Sequence, residues 1–115
     1  MYYQYQCYNR NGEWSVYEIF TNDNILLHTE DKFKAEAFVQ YLNDFRLSPE
    51  EALETEYIIL TGAYIHTEPP QEYYRIINVR KIIEDTKGVF EDKEEAKKVC
   101  DILNKKCKKE RTDGN

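Results

Sequence analysis

Nucleophilic and acid–base chemistry in this 115-residue sequence rests on few side chains: Ser15, Ser48, Cys7, Cys100, Cys107, His28 and His66. No serine or cysteine stands near a histidine in an arrangement that pairs a nucleophile with its base. His66 precedes Glu68 by two residues, as a base and its orienting acid would, although a histidine at a strand end is ordinarily solvated. The acid pairs Glu84-Asp85 and Glu91-Asp92 bracket a turn, but a hard cation needs several converging oxygens. Glu91-Asp92 and Glu30-Asp31 each stand where a helix begins, and acids there stabilise the helix dipole. The four glycines are scattered and build no phosphate-cradling loop. Cys100 and Cys107 lie seven residues apart on one predicted helix, too far to bridge, so the three thiols are expected to be reduced. The sequence therefore reads as a non-enzyme, with no catalytic residue, no metal and no cofactor assigned.

Aromatic and acidic residues carry the stronger signal. Ten tyrosines are present, and Tyr2, Tyr3, Tyr5, Tyr8 and Tyr17 fall in the first predicted hairpin. Tyrosine joins a large apolar face to a hydrogen-bonding tip, which suits protein interfaces, and it is also a good strand former. Alternation puts Tyr3, Tyr5 and Cys7 on a core side and Tyr2, Gln4, Gln6 and Tyr8 on an outward side. Tyr2, Tyr8, Tyr17, Tyr64 and Tyr74 are the candidate partner-binding tyrosines. Glu50, Glu51, Glu54 and Glu56 join them as a negative patch that, with Asp44, has only Arg46 to offset it. Such a patch is ordinarily a solvated face; its functional reading is attraction of a basic protein surface.

Net charge is −6, unevenly spread. Residues 1–92 hold 17 acids and 8 bases, whereas 93–115 hold 8 bases and 5 acids. An acidic body disfavours direct nucleic-acid binding, which draws its affinity from neutralised phosphates. The run Lys105-Lys106-Cys107-Lys108-Lys109-Glu110-Arg111 suits the C-terminal end of a helix dipole and is the only RNA-contacting candidate.

The elements that must position these groups come in two copies. Glu30-Asp31-Lys32, Ala35 and Leu42-Asn43 recur 61 residues later as Glu91-Asp92-Lys93, Ala96 and Leu103-Asn104. Strand-forming runs at 2–8 and 14–20 flank the turn residues Asn9-Arg10-Asn11-Gly12, and a short third strand follows over 25–28. The apolar spacing predicts a helix over 32–44, capped by Thr29 or Asp31, with Phe33, Ala37, Phe38, Tyr41, Leu42 and Phe45 on one face. Ser48-Pro49-Glu50-Glu51 starts a short linking helix over 49–56. The second copy reads as strands over 57–65 and 73–83, a turn at 85–88, a strand stub at Val89-Phe90 and a helix over 94–106. Beyond Lys108 the chain is expected to fray.

The fold expected is α+β: a duplicated β-β-β-α unit forming an antiparallel sheet, with two helices packed on one face and a short linking helix. It is read as one domain, 1–115, with pseudo-repeats 1–47 and 57–109 and a linker at 48–56. The run from Tyr57 to His66 is apolar on both faces, so a second subunit or a partner is expected to cover the face the helices leave bare. No run reaches membrane-helix length and the N-terminus lacks the pattern of an export signal. Abundant Lys, Ile, Tyr, Asn and Phe point to AT-rich codons, hence a low-GC bacterium or its phage. Residues 89–103 resemble locally the strand-to-helix step of peptidoglycan-binding SPOR domains, and no function is carried over from that likeness.

The expectation is a cytoplasmic protein-binding module that forms a homodimer, acting in a bacterial or phage-infected cell. A phage or mobile-element inhibitor of a host defence or nucleic-acid-handling protein, such as an anti-CRISPR, fits. The alternatives are a small-molecule sequestering or sensing domain using Tyr with Arg75 or Arg80, and an RNA-contacting accessory protein.

Overall fold

The computed structural model describes residues 3–20, 25–81 and 86–113, and among these all side chains but those of Thr86 and 111–113. The chain divides into two compact units, Met1–Thr55 and Glu56–Asn115. The first holds β1 (Tyr5–Arg10), β2 (Glu13–Glu18), β3 (Ile25–Thr29), α1 (Lys32–Asp44) and α2 (Pro49–Glu54). The second holds β4 (Tyr57–Tyr64), β5 (Gln71–Asn78), β6 (Thr86–Phe90) and α3 (Lys93–Asp113). The class is α+β, as expected. The strands nevertheless form two three-stranded antiparallel sheets, ordered β1-β2-β3 and β4-β5-β6, rather than one sheet carrying both helices. Each sheet has its own helix: α1 packs on β1, β2 and β3, and α3 on β4, β5 and β6.

In the first unit the hairpin closes on Asn11 and Gly12, both in the left-handed region (φ 55° and 87°). Those two positive φ values suit the right-handed strand twist, so the tight turn is the second half of the expected connection over 9–12, and the strands extend to Arg10 and from Glu13. Core residues Tyr5, Val16, Leu26, Leu27, Ala35, Phe38, Tyr41 and Leu42 are buried, whereas Phe33 at the start of α1 is exposed. The Asp31 carboxylate caps α1, accepting from the N–H groups of Phe33 (2.9 Å) and Lys34 (3.4 Å). Arg46 takes φ 52° just past the helix, where the Leu47 N–H donates to the Leu42 carbonyl at 3.1 Å. Glycine normally fills such a helix stop. A capping box starts α2: Ser48 Oγ accepts from the Glu51 N–H, and the Glu51 carboxylate accepts from the Ser48 N–H.

In the second unit Asp92 accepts the Glu94 N–H at 3.0 Å, and Ala96 and Cys100 are fully buried. The third strand begins at Thr86, so Thr86, Lys87 and Gly88 belong to β6 rather than to a turn, and Asp85 lies outside the described residues. The helix runs on to Asp113 instead of fraying after Lys108. Lysine, glutamate and arginine are good helix formers, and no glycine or proline intervenes before Gly114.

One asparagine in each unit ties helix to sheet in the same way. Asn43 Oδ1 accepts the Tyr5 N–H (2.9 Å) and its Nδ2 donates to the Tyr5 carbonyl (3.2 Å). Asn104 Oδ1 accepts the N–H groups of Glu56 (2.9 Å) and Tyr57 (2.8 Å), and its Nδ2 donates to the Tyr57 carbonyl (2.9 Å). Tyr5 and Tyr57 open the first strand of their sheets, both edge strands. The asparagine supplies the donor and acceptor that a neighbouring strand would otherwise provide.

Replacing either asparagine by alanine leaves a backbone pair unsatisfied and is expected to cost about 2 kcal/mol, read as a lower urea midpoint. Tyr5 yields a second expectation. Burial, reinforced by the nearby Glu18 carboxylate, pushes the Tyr5 phenol well above its ordinary range, and the hydroxyl donates to the Leu47 carbonyl. The fold thus favours the neutral phenol, so its contribution is complete below the ordinary tyrosine value of about 10 and is lost as pH rises further. Tyr5→Phe should be less stable by about 1 kcal/mol at neutral pH, with the gap to the parent narrowing above pH ~10 in urea titrations.

Candidate functional site

Strand parity decides which aromatic residues remain available. In β4–β5 the pairs Ile58–Ile77, Leu60–Arg75, Gly62–Tyr73 and Tyr64–Gln71 share one face, and Val89 of β6 joins it opposite Arg75. Tyr57, Ile59, Tyr74, Ile76 and Asn78 occupy the other face and are all buried. The first face changes along its length. Ile58 and Ile77 are buried, Leu60, Arg75 and Tyr73 are half-buried, and Tyr64 and Val89 are 47% and 53% exposed. Ile65, immediately after β4, is 81% exposed.

Both faces are thus sealed within the chain where β4 begins, which corrects the expectation that the whole second face awaits a lid. Only the distal end stays open. There Tyr64 and Tyr73 lean together, ring centroids 4.8 Å apart at 40°. The Tyr73 ring lies across Gly62, so close that a Cβ at position 62 would sit 2.3 Å from Tyr73 Cζ. Glycine is therefore required by the ring above it, a cross-strand pairing in which the aromatic covers exposed backbone. The Thr67 hydroxyl closes the hairpin base, accepting the Gln71 N–H (2.8 Å) and donating to the Tyr64 carbonyl (3.1 Å).

The structure distributes the sequence-predicted residues unevenly. Tyr64 belongs to this open patch. Tyr74 does not: it is buried, and its hydroxyl donates to Glu72 at 2.8 Å, which holds the phenol above its usual range. The neighbouring Tyr73, one residue away and hence on the opposite face, takes the place expected for Tyr74. Tyr8 and Tyr17 meet edge to face at 5.4 Å on the outward side of β1–β2, beside exposed Ile25, and the Tyr17 hydroxyl donates to Gln6. Tyr2 lies outside the described residues. Glu50 and Glu54 are exposed on α2, whereas Glu51 is engaged in the capping box and Glu56 accepts from Asn78 Nδ2 at 3.3 Å.

Sequence spacing alone concealed one Ser–His pair. Ser15 Oγ lies 3.1 Å from His28 Nδ1 across β2 and β3, but Ser15 is buried, so the pair is a cross-strand polar contact rather than an accessible nucleophile. His66 and Glu68 are exposed in the β4–β5 turn. Glu84 and Asp85 lie outside the described residues, and among the described ones no three His, Cys, Asp or Glu side chains converge as metal ligands. Glu18 is buried, its carboxylate accepting the N–H groups of Gln4 and Phe20, both at 2.9 Å. No helix among the described residues is long and apolar enough to cross a membrane.

No protein-family model, curated protein or solved structure matches the chain.

Gly62→Ala is expected to displace the Tyr73 ring at a cost of about 1–2 kcal/mol, and to cost much less in a Tyr73→Ala background. A double-mutant cycle in urea, with near-ultraviolet circular dichroism as a ring reporter, measures that coupling.

Proposed function

We propose that the protein is a non-enzymatic protein-binding module whose contact patch is the distal end of the β4–β5 hairpin. The observation that carries this reading is the ring pair of Tyr64, 47% exposed, and half-buried Tyr73, which shares its face with Val89, 53% exposed, and is followed in the chain by Ile65, 81% exposed, after Tyr64. Rigid aromatic anchors give binding area at low entropic cost, and tyrosine is enriched where binding energy concentrates. The first unit, residues 1–55, has 10 acids and 4 bases, so a partner with a basic surface would be drawn to it. A host protein that handles nucleic acid has such a surface, and on this reading the module is an inhibitor carried by a phage or mobile element. The repeated Asp, Ala and Asn roles in the two units favour an origin by duplication, with the second copy specialised for contact.

A second reading rests on the helical extension of α3, along which Lys105, Lys106, Lys108 and Lys109 are exposed. RNA bound there would lose affinity steeply with salt.

Immobilised protein exposed to a low-GC bacterial lysate should retain one protein in stoichiometric amount, and Tyr64→Ser/Ile65→Ser should lose it while unfolding at an unchanged urea midpoint. Retention by that folded variant, or no stoichiometric partner at all, would overturn the reading. Fluorescence anisotropy with single-stranded RNA, titrated with salt, tests the second: salt-sensitive binding lost in Lys105→Glu/Lys109→Glu supports it.

A further inference from the structure

We propose that β4 pairs edge to edge with β4 of a second copy, joining two β4-β5-β6 sheets into one six-stranded sheet about a two-fold axis at Gly62. The inference is independent of the aromatic-patch reading, since it rests on backbone groups.

The hydrogen-bond parity of β4 follows from two contacts at its start. The Val79 N–H donates to the Glu56 carbonyl at 2.9 Å, and Tyr57 pairs with Asn78. The Glu56 carbonyl therefore bonds inward to β5, its N–H being taken by Asn104, and by alternation 58, 60, 62 and 64 bond inward. The N–H and C=O groups of Tyr57, Ile59, Thr61 and Ala63 point away from β5. Asn104 confirms this parity at Tyr57, whose outward pair it engages. Beyond that clamp, the outward groups of Ile59, Thr61 and Ala63 have no hydrogen-bond partner among the described residues, and the side chains of Thr61 and Ala63 are exposed.

Edge strands are ordinarily guarded by brevity, charge, proline or a bulge. Strand β1 ends in Asn9-Arg10, β3 is five residues long, and β6 is also five, contains Lys87 and Gly88, and pairs through a register shift. Strand β4 has none of these. Its eight residues, Tyr-Ile-Ile-Leu-Thr-Gly-Ala-Tyr, include no charge and no proline, and its register with β5 is unbroken.

The uncharged edge is complementary to itself, which argues for a second copy as the occupant. Residues 56–115 hold 12 acids and 12 bases, so two second units approach without net repulsion, whereas the first unit is strongly acidic. An antiparallel pairing about Gly62 sets Thr61 against Ala63 of the other copy, twice, giving four backbone hydrogen bonds. It also sets Leu60 against Tyr64 on the open face, so no like charges meet and each aromatic end gains an apolar neighbour.

Sedimentation velocity from low micromolar to near-millimolar protein tests this. The parent chain should show a reversible dimer whose formation depends little on salt, and the Thr61 and Ala63 amides should exchange more slowly as concentration rises. Thr61→Pro deletes an outward N–H without removing a β4–β5 bond and should weaken the dimer about tenfold or more. Should that variant fail to fold, Thr61→Lys/Ala63→Lys decides, because it places lysines opposite each other only in the dimer. A parent chain that stays monomeric throughout overturns the proposal. So does a dimer that persists in the folded lysine variant, including one that only Tyr64→Ser disrupts, which would place self-association on the aromatic face instead.

Discussion

The asparagine that reaches from each helix to the outward backbone of an edge strand is the constraint on which both units depend. Asn43 and Asn104 stand in the last turn or later turns of α1 and α3, twelve residues after the capping aspartates Asp31 and Asp92. One end of the helix is thus fixed by its cap and a point over three turns away by the strand it crosses. Between the two, Ala35 and Ala96 are fully buried one turn into each helix, where a larger side chain would hold helix and sheet apart. Cap, small residue and clamp specify how each helix lies on its sheet, and the same three residues recur in both units. Hydrogen bonds of this sort contribute modest net energy but are costly to leave unmade, so they select one packing more than they deepen it.

Much of this was legible in the sequence because local chemistry set it. Ser48, and Asp31 as one of two candidate caps, announced their helices, and the apolar spacing matched the buried face of α1 at Ala37, Phe38, Tyr41 and Leu42, with Phe33 exposed, Phe45 half-buried and buried Ala35 not included. What stayed hidden depends on pairing partners. A turn closed on Asn11-Gly12 alone, rather than over all of 9–12, lengthens the flanking strands without altering which side chains are apolar. Division into two sheets is a choice of which strands pair, and the alternation of apolar side chains does not record it. The stop after α1 used Arg46 in a glycine's conformation, so no residue type marked it. The helix extension to Asp113 depends on propensity over a polar stretch with no apolar period to reveal it.

The candidate patch was half legible for a related reason. Tyr73 and Tyr74 are adjacent and chemically identical, and only register tells which faces outward. Gly62 was the available signal: a glycine inside a strand-forming run marks a close approach of another group, here the Tyr73 ring across the strand. The burial of consecutive residues Tyr57, Ile58 and Ile59 shows why two-faced apolarity is an ambiguous sign. It reports that both sides of a strand are covered, without saying that the cover comes from another molecule.

Charge along α3 has a structural origin that bears on its meaning. Glu94 and Glu95 occupy the first turn, where a helix dipole favours acids, whereas Lys105, Lys106, Lys108 and Lys109 lie before the last turn, which holds Glu110, Arg111 and Asp113. Lys97 and Asp101 add a pair one turn apart. The helix must hold its last turns with few buried residues, since Ile102 is exposed and Leu103 and Cys107 are only half-buried. The helix propensity of lysine and glutamate is what such a segment has in place of packing. The lysines are therefore accounted for by the helix they extend, without a ligand.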